Sequence, residues 1–363
     1  YTTEMNPKIQ SRRVYNETEK FILDNVLELN SKTDMLNLLD YEFTQNTNEN
    51  DLSPKQFADT YIHDEVLNQD YKDDIAEYIK DSDAIITTWG APRIDQRILD
   101  ANPDLKIVGH AAGSVADFVS QELYDAGIKV TTANDMMALA VAEWCLAMTM
   151  NGLRRFPEYS SINGKSELRW DKNGLPRSVR GAKVGIWGYG SIASRYVKIL
   201  KPLEPGKILV CSSYLKEERA AIDGVTKVSF NELFAESDVV LLLTSLKQST
   251  VGRVGAEQLS LMQDNSVLIN CGRGKLADEQ ALYDELRRGR ISAMLDVYHK
   301  EPLPEDSPLR SMQNVFLTPH NAGRPSRGGY VSLIIDEFDR CFSGKPLLHE
   351  VSRERALTMT TKL

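Results

Sequence analysis

The sequence predicts an α/β fold of two domains, and three observations carry that prediction. Short apolar runs alternate with helical stretches from residue 84 to residue 318. A glycine turn, Gly188-Tyr189-Gly190-Ser191-Ile192-Ala193, follows one such run and opens a helix. At 363 residues the chain is long enough to bury two separate cores.

Residues 1–80 are polar; within them Phe21 to Leu39 has helical spacing and Asn46 to Ser53 reads as a surface loop. Strand candidates then begin at Ala84 to Thr88, Lys106 to His110 and Lys129 to Thr132. Such runs, separated by helical stretches, predict a parallel sheet covered by helices. Met136 to Leu153 is a long apolar helix rich in Ala, Leu and Met, a composition that argues for burial. Ser160 to Ser178, with Gly164, Gly174 and Pro176, reads as a linking loop. From Val184 the alternation resumes, with strands at Lys207–Ser212, Asp238–Leu243, Ser266–Asn270, Ala293–Val297 and Val315–Thr318. Helices fill the gaps, among them Ala256–Met262 and Glu279–Arg288, and Tyr330–Phe342 is the last. The series from 184 to 318 predicts a doubly wound, Rossmann-type nucleotide-binding unit.

The spacing of the glycine turn has a chemical reason. Gly188 allows a tight turn, Gly190 lets backbone approach a pyrophosphate, and the small Ala193 lets helix and strand pack closely. The free N–H groups of Tyr189, Ser191 and Ile192 and the positive end of the helix dipole then face the phosphates. A glycine turn with no ligand is the bland alternative, and the flanking strand and helix argue against it.

Composition excludes several function classes. A net charge of −9 advertises no basic face for nucleic acid or anionic membrane. No uninterrupted apolar run approaches the roughly 20 residues of a membrane span, and the start, YTTEMNPKIQSRR, lacks the apolar core of a signal peptide. The four cysteines, Cys145, Cys211, Cys271 and Cys341, form no C-x-x-C pair, so no metal site is expected and reduced thiols in a cytoplasmic protein are.

Three polar residues follow strand candidates downstream of the turn: Arg273 in Asn270-Cys271-Gly272-Arg273-Gly274, Glu301 in Tyr298-His299-Lys300-Glu301-Pro302, and His320 in Leu317-Thr318-Pro319-His320. Ligands in doubly wound sheets bind at the carboxyl ends of strands, the edge that carries the phosphate turn. The residue types fit hydride transfer to a 2-keto acid. Arginine offers a carboxylate a bidentate fork, histidine donates a proton near neutrality, and an acid beside the imidazole orients it. Each has a bland alternative: Arg273 pairing with Asp278 or Glu279, Glu301 as a solvated charge, His320 as a satisfied strand-end histidine. Together, in order and behind the turn, the functional reading prevails. His110 also ends a strand candidate and is placed to touch a substrate, while His63, His299 and His349 carry less.

These residues resemble the D-isomer-specific 2-hydroxyacid dehydrogenase family. The motifs occur in family order from about Asp83 to Pro325: LKIVGHAAGS, AVAEWCLAM, VGIWGYGSIA, SVLINCGRGKLADEQAL, LDVYHKEPLPEDSPL and NVFLTPHNAG. The resemblance implies a Rossmann cofactor domain, residues 135–323, inserted into a flavodoxin-like substrate domain formed by 1–134 and 324–363. It implies Arg273, Glu301 and His320 as catalytic residues and Asp296 as the holder of the nicotinamide carboxamide. Backbone N–H groups near Ala112 and Gly113 would bind the substrate carboxylate, and the loop holding Trp89 would line the substrate pocket. A homodimer through the cofactor domain is the implied assembly, and glyoxylate or hydroxypyruvate reduction the implied type of reaction. Two rivals share the fold, a formate dehydrogenase and a dinucleotide-sensing binding protein. The first is disfavoured because it carries Gln where this chain has Glu301.

The chain departs from the family at Ala111-Ala112-Gly113-Ser114-Val115, which lacks the usual Asp, and at Met137, where Asn is frequent. The cofactor switch departs as well. About twenty residues beyond the glycine turn an acid ordinarily binds the ribose hydroxyls of NAD; Ser212 stands there, followed by Ser213. Without the carboxylate a 2′-phosphate is not repelled, and Lys216 or Arg219 is available to pair with it. Glu217 and Glu218 argue the other way if they point inward. NAD and NADP both stay open, with a lean to NADP.

Overall fold

A computed structural model of the chain describes residues 82–162 and 175–361. The helical segment Phe21 to Leu39, the loop Asn46 to Ser53 and His63 lie outside the described residues. The described residues divide into two compact units, one of 82–133 and 328–358, the other of 134–162, 175–327 and 359–361.

In the smaller unit, strands β1 (Ala84–Thr87), β2 (Ile107–His110) and β3 (Lys129–Thr132) pair in parallel, in that order. Helices α1 (Gln96–Ala101) and α2 (Gln121–Asp125) connect them, capped by Asp95 and Ser120 side chains on the N–H groups of Ile98 and Leu123. The larger unit starts with α3 (Asn134–Leu153) and α4 (Phe156–Ile162). It continues through β4 (Lys183–Trp187), α5 (Ser191–Leu200), β5 (Lys207–Cys211), α6 (Glu217–Asp223) and β6 (Thr226–Lys227). Helix α7 (Phe230–Glu236), β7 (Val239–Leu242), α8 (Ala256–Leu261) and β8 (Val267–Asn270) follow, then α9 (Glu279–Arg287), β9 (Ser292–Leu295) and β10 (Val315–Leu317). The chain returns to the smaller unit with α10 (Tyr330–Phe342) and α11 (Arg353–Ala356).

The seven strands of the larger unit are all parallel, in the order β10-β9-β8-β7-β4-β5-β6. Strand order reverses at β4, which places the switch point of a doubly wound sheet where the glycine turn leaves it. Both faces are covered, which is why β7 reads as the unbroken apolar run VVLL. Val239 and Leu241 join one core with Ile186, Tyr196 and Ile269. Val240 and Leu242 join the other with Leu233, Phe234 and Leu295. Side-chain alternation along a strand makes one sequence serve two cores.

Helix α3 is 20 residues long and apolar enough, by length and composition, to cross a membrane. Uninterrupted runs missed this, because Glu143 and Asn151 break the run without lowering its average much. Half of its apolar window is buried, with Ala142, Cys145 and Thr149 packed into the larger unit's core against β7, β8, β9 and α5. Two further expectations are corrected. The linking loop expected from Ser160 starts later, since α4 continues to Ile162. Strands β1, β5, β7, β9 and β10 end one or two residues before the expected limits, at Thr87, Cys211, Leu242, Leu295 and Leu317, whereas β2, β3 and β8 end where expected.

Candidate active site

The larger unit's candidate residues follow the carboxyl ends of its strands, from the next residue to six residues on. Gly188, after β4, has φ +96°, and a Cβ there would come within 2.6 Å of the Thr244 backbone, so only glycine fits. Its N–H donates to the Cys211 carbonyl at 2.9 Å, which fixes the turn beside the end of β5. Gly190 precedes α5 with no capping side chain. The N–H groups of Ser191, Ile192 and Ala193 have no acceptor among the described residues. Those free donors and the glycine backbone fit a pyrophosphate. Ala193 is fully buried where α5 packs on α3, as a small third residue requires. Tyr189 is half-buried, and its hydroxyl donates to Asp223 at 2.7 Å. Ser212 is half-buried and Ser213 exposed. Glu217 pairs with Lys227 at 2.7 Å rather than pointing inward.

Arg273 follows β8 in extended backbone, its Nη1 donating to the Gly272 carbonyl at 2.7 Å. Asn270, which sequence reasoning passed over, shapes this loop. Its buried amide accepts from Gly272 N–H at 3.1 Å and donates to the Arg273 carbonyl at 3.0 Å. Asp278 and Glu279, the alternative partners for Arg273, are otherwise engaged. Asp278 caps α9 through Ala281 N–H, and Glu279 accepts from the Tyr283 hydroxyl.

Glu301 and His320 meet directly, Oε2 to Nδ1 at 2.5 Å. The other carboxylate oxygen accepts the Tyr298 N–H at 3.0 Å. Burial pushes the Glu301 carboxyl up. The bonds from His320 and Tyr298 and the charges of His320 and Arg273 outweigh it, so the group sits below the ordinary carboxylate range. The effect of Arg273 on Glu301 brings all three residues into one electrostatic neighbourhood. With Nδ1 engaged, the imidazole Nε2 is left to act on a ligand.

His320 has φ +50°, an unusual conformation for a residue with a side chain. Asp296 holds it there. This buried carboxylate accepts from Thr318 Oγ1 at 2.5 Å, Asn321 N–H at 2.9 Å and Ala322 N–H at 3.1 Å. Asp296 is thus bonded to the Thr318 side chain before His320 and to the backbone after it, beyond the carboxamide role that the resemblance implies. Tyr298, also missed, adds a hydrogen bond to the Thr318 carbonyl at 2.7 Å. His299 is turned to the Ala277 carbonyl.

The smaller unit carries the other candidates. Thr132 Oγ1 donates to the Ala112 and Gly113 carbonyls at 2.8 and 2.7 Å. The N–H groups of Ala112 and Gly113 have no acceptor among the described residues. Trp89 is 40% exposed, its ring tilted by 53° against that of Tyr330 with centroids 6.3 Å apart. His110 corrects the expectation of a substrate contact. It is buried against Phe118 and hydrogen-bonded to Thr87, and burial lowers its pKa to about 3.

Cys145 and Cys271 are free, buried thiols with sulfurs 3.3 Å apart. The hydrogen bond to Cys145 and burial raise the Cys271 thiol well above its ordinary value, against a nucleophilic role.

Residues 146–322 match the family model described as D-isomer specific 2-hydroxyacid dehydrogenase, NAD binding domain. A glyoxylate reductase of Korarchaeum cryptofilum is 34% identical over 252 residues, 68% of this chain and 75% of that protein. A D-3-phosphoglycerate dehydrogenase of Methanocaldococcus jannaschii is 32% identical over 252 residues, 69% of this chain. This chain spans only 47% of that longer protein, and about half of a second such relative. Among solved structures, a D-isomer specific 2-hydroxyacid dehydrogenase from Xanthobacter autotrophicus Py2 in complex with NADPH and MES has a TM-score of 0.62 at 25% identity. It covers 76% of this chain and 86% of its own.

Proposed function

This chain belongs to the D-isomer specific 2-hydroxyacid dehydrogenase family, and on that premise we propose that it reduces a small 2-keto acid of the glyoxylate or hydroxypyruvate type to a D-2-hydroxy acid. The observation that carries the reading is the 2.5 Å bond between Glu301 and His320, with Arg273 on the same sheet edge.

When bound, a reduced nicotinamide dinucleotide supplies the hydride. The free N–H groups at Ser191, Ile192 and Ala193 and the backbone of Gly188, Tyr189 and Gly190 hold its pyrophosphate. Arg273 binds the keto carboxylate by its guanidinium fork and orients the carbonyl. His320 delivers a proton from Nε2 to the carbonyl oxygen. Glu301, ionised across the neutral range, keeps the ring oriented through Nδ1 and stabilises its cation. Asp296 fixes the loop and remains the candidate for the carboxamide. Backbone N–H groups of Ala112 and Gly113, and the Trp89 ring, are proposed to add substrate contacts. We place Ser212 and Ser213 at the adenosine ribose and favour NADP, since no carboxylate follows β5 directly and Glu217 is occupied by Lys227. The proposed assembly is a homodimer, checked by light scattering.

The test is a panel of 2-keto acids with NADH and NADPH, read by loss of reduced-cofactor absorbance. Glyoxylate or hydroxypyruvate is expected to turn over, and His320→Ala to lower kcat at least about 100-fold. Full activity of that variant would overturn the assignment. Dinucleotide binding with no turnover of any acid would favour a sensing protein.

A further inference from the structure

Tyr189 and the helix α6 meet at one carboxylate oxygen. Asp223 Oδ2 accepts the Tyr189 hydroxyl at 2.7 Å and Arg219 Nε at 2.5 Å. The first donor belongs to the glycine turn, and the second lies one helical turn before Asp223 on α6. The turn itself is bonded to the end of β5 through Gly188 and Cys211, and Ser212 is the next residue. Glycine turn, β5 end and α6 are therefore linked around the place proposed for the adenosine ribose.

The charges here differ from what the sequence alone suggested. Asp223, only 14% exposed, is paired with Arg219. Burial pushes its carboxyl up. Hydrogen bonds from Arg219 and Tyr189 and the charges of Arg219 and Lys201 hold it below the usual range, so it stays an anion. Arg219 gives this anion only Nε. Its two Nη groups make no hydrogen bond among the described residues, and the side chain is 53% exposed. An arginine bound at Nε keeps its Nη donors as a planar fork, the shape that matches a phosphate.

We propose that Asp223 is a positioning residue for cofactor choice: it tethers Arg219 to the glycine turn through Tyr189, so that the free guanidinium fork receives the 2′-phosphate of the adenosine ribose. This rests on the NADP reading above. An untethered Arg219 on a seven-residue exposed helix would lose side-chain entropy on meeting the phosphate, and the tether reduces that cost beforehand.

The experiment is calorimetric titration of the whole chain, without substrate or nicotinamide, using adenosine 2′,5′-bisphosphate and adenosine 5′-monophosphate. The wild type is expected to bind the bisphosphate about tenfold more tightly, and Arg219→Gln to abolish that preference with monophosphate affinity retained. Asp223→Asn is expected to cut the preference about three- to tenfold with monophosphate binding in place, and Tyr189→Phe to cut it about two- to threefold. Arg219→Lys, which keeps the charge but lacks the fork, should lose most of the preference, and it tests the fork even if Asp223→Asn does not fold. Loss of preference in Arg219→Gln with none in Asp223→Asn and Tyr189→Phe overturns the tether and leaves the NADP reading standing. A gain in Asp223→Asn overturns the tether too, showing that Asp223 repels the phosphate. A wild type with no preference for the bisphosphate overturns both the tether and the lean to NADP. Failure of both compounds to bind overturns the dinucleotide reading itself.

Discussion

Glu301 carries a charge whose only direct side-chain partner among the described residues is His320. Replacing it with Gln keeps the shape and a hydrogen-bonding oxygen but removes the anion that stabilises the protonated ring. Reduction needs that proton, so in Glu301→Gln the loss of reductive kcat/KM with rising pH is expected to begin at lower pH than in the wild type. Measured pH profiles of both proteins check it; superimposable profiles would show that the pair is only structural. His110 makes the opposite kind of statement. Its folded pKa of about 3 lies below the unfolded value, so the native state excludes a proton that the unfolded chain binds. Stability is therefore retained above the unfolded pKa and lost as pH falls from about 6.5 toward 3, by up to about 1.4 kcal/mol per pH unit from this residue. Denaturant titrations at pH 7, 6 and 5 should show a shallower slope for His110→Gln.

Loops at the sheet edge are fixed by contacts that no local pattern announces. A Cβ on Gly274 would come within 2.0 Å of the Tyr298 carbonyl carbon, so the loop after β8 lies directly on the loop after β9. Gly274→Ala must separate them, moving Arg273 relative to Glu301. The expected outcome is a fall in kcat/KM of about 100-fold, with far-ultraviolet circular dichroism near that of the wild type. Parent-like kinetics would show that the loops yield without consequence. The same contrast explains what was readable beforehand. Arg273, Glu301 and His320 were legible because each follows a recognisable apolar strand, and strand ends gather on one edge by topology alone. Asn270, Tyr298 and the scaffolding bonds of Asp296 were not, because their role lies in bonds between loops. His110 was misread for a related reason: a strand-end position does not tell whether the side chain meets solvent or Phe118. The short helices α6 and α7 carry too few turns to show a period, and both residues of β6 are exposed.

At the scale of the molecule, the glycine turn, Arg273, Glu301 and His320 all belong to the larger unit, while Trp89, Ala112 and Gly113 belong to the smaller one. A nicotinamide dinucleotide at 100 times its Kd is expected to stabilise the larger unit by about 2.7 kcal/mol. Hydrogen exchange with and without NADPH, in the absence of substrate, should show slowing centred on 186–200 and 211–223. Slowing confined to 82–133 would place the dinucleotide on the wrong unit. The two-unit organisation was foreshadowed by the mid-chain position of the turn, since a βα region precedes it.

The smaller unit is assembled from two segments, 82–133 and 328–358, separated by the larger unit, and this bears on how the protein is made. Ile334 and Phe338 of α10 lie against Gly109 of β2, and the Tyr124 hydroxyl bonds a carbonyl 227 residues further on, at Val351. At ribosomal speeds those 227 residues take roughly 11 to 45 s to synthesise. During that interval β1, β2 and β3 have left the ribosome without the helix that packs on them, while nearly all of the larger unit emerges. Of the two units, the one begun first is thus the one completed last, and a nascent chain stalled after β3 and before α10 displays an uncovered apolar sheet to chaperones and proteases.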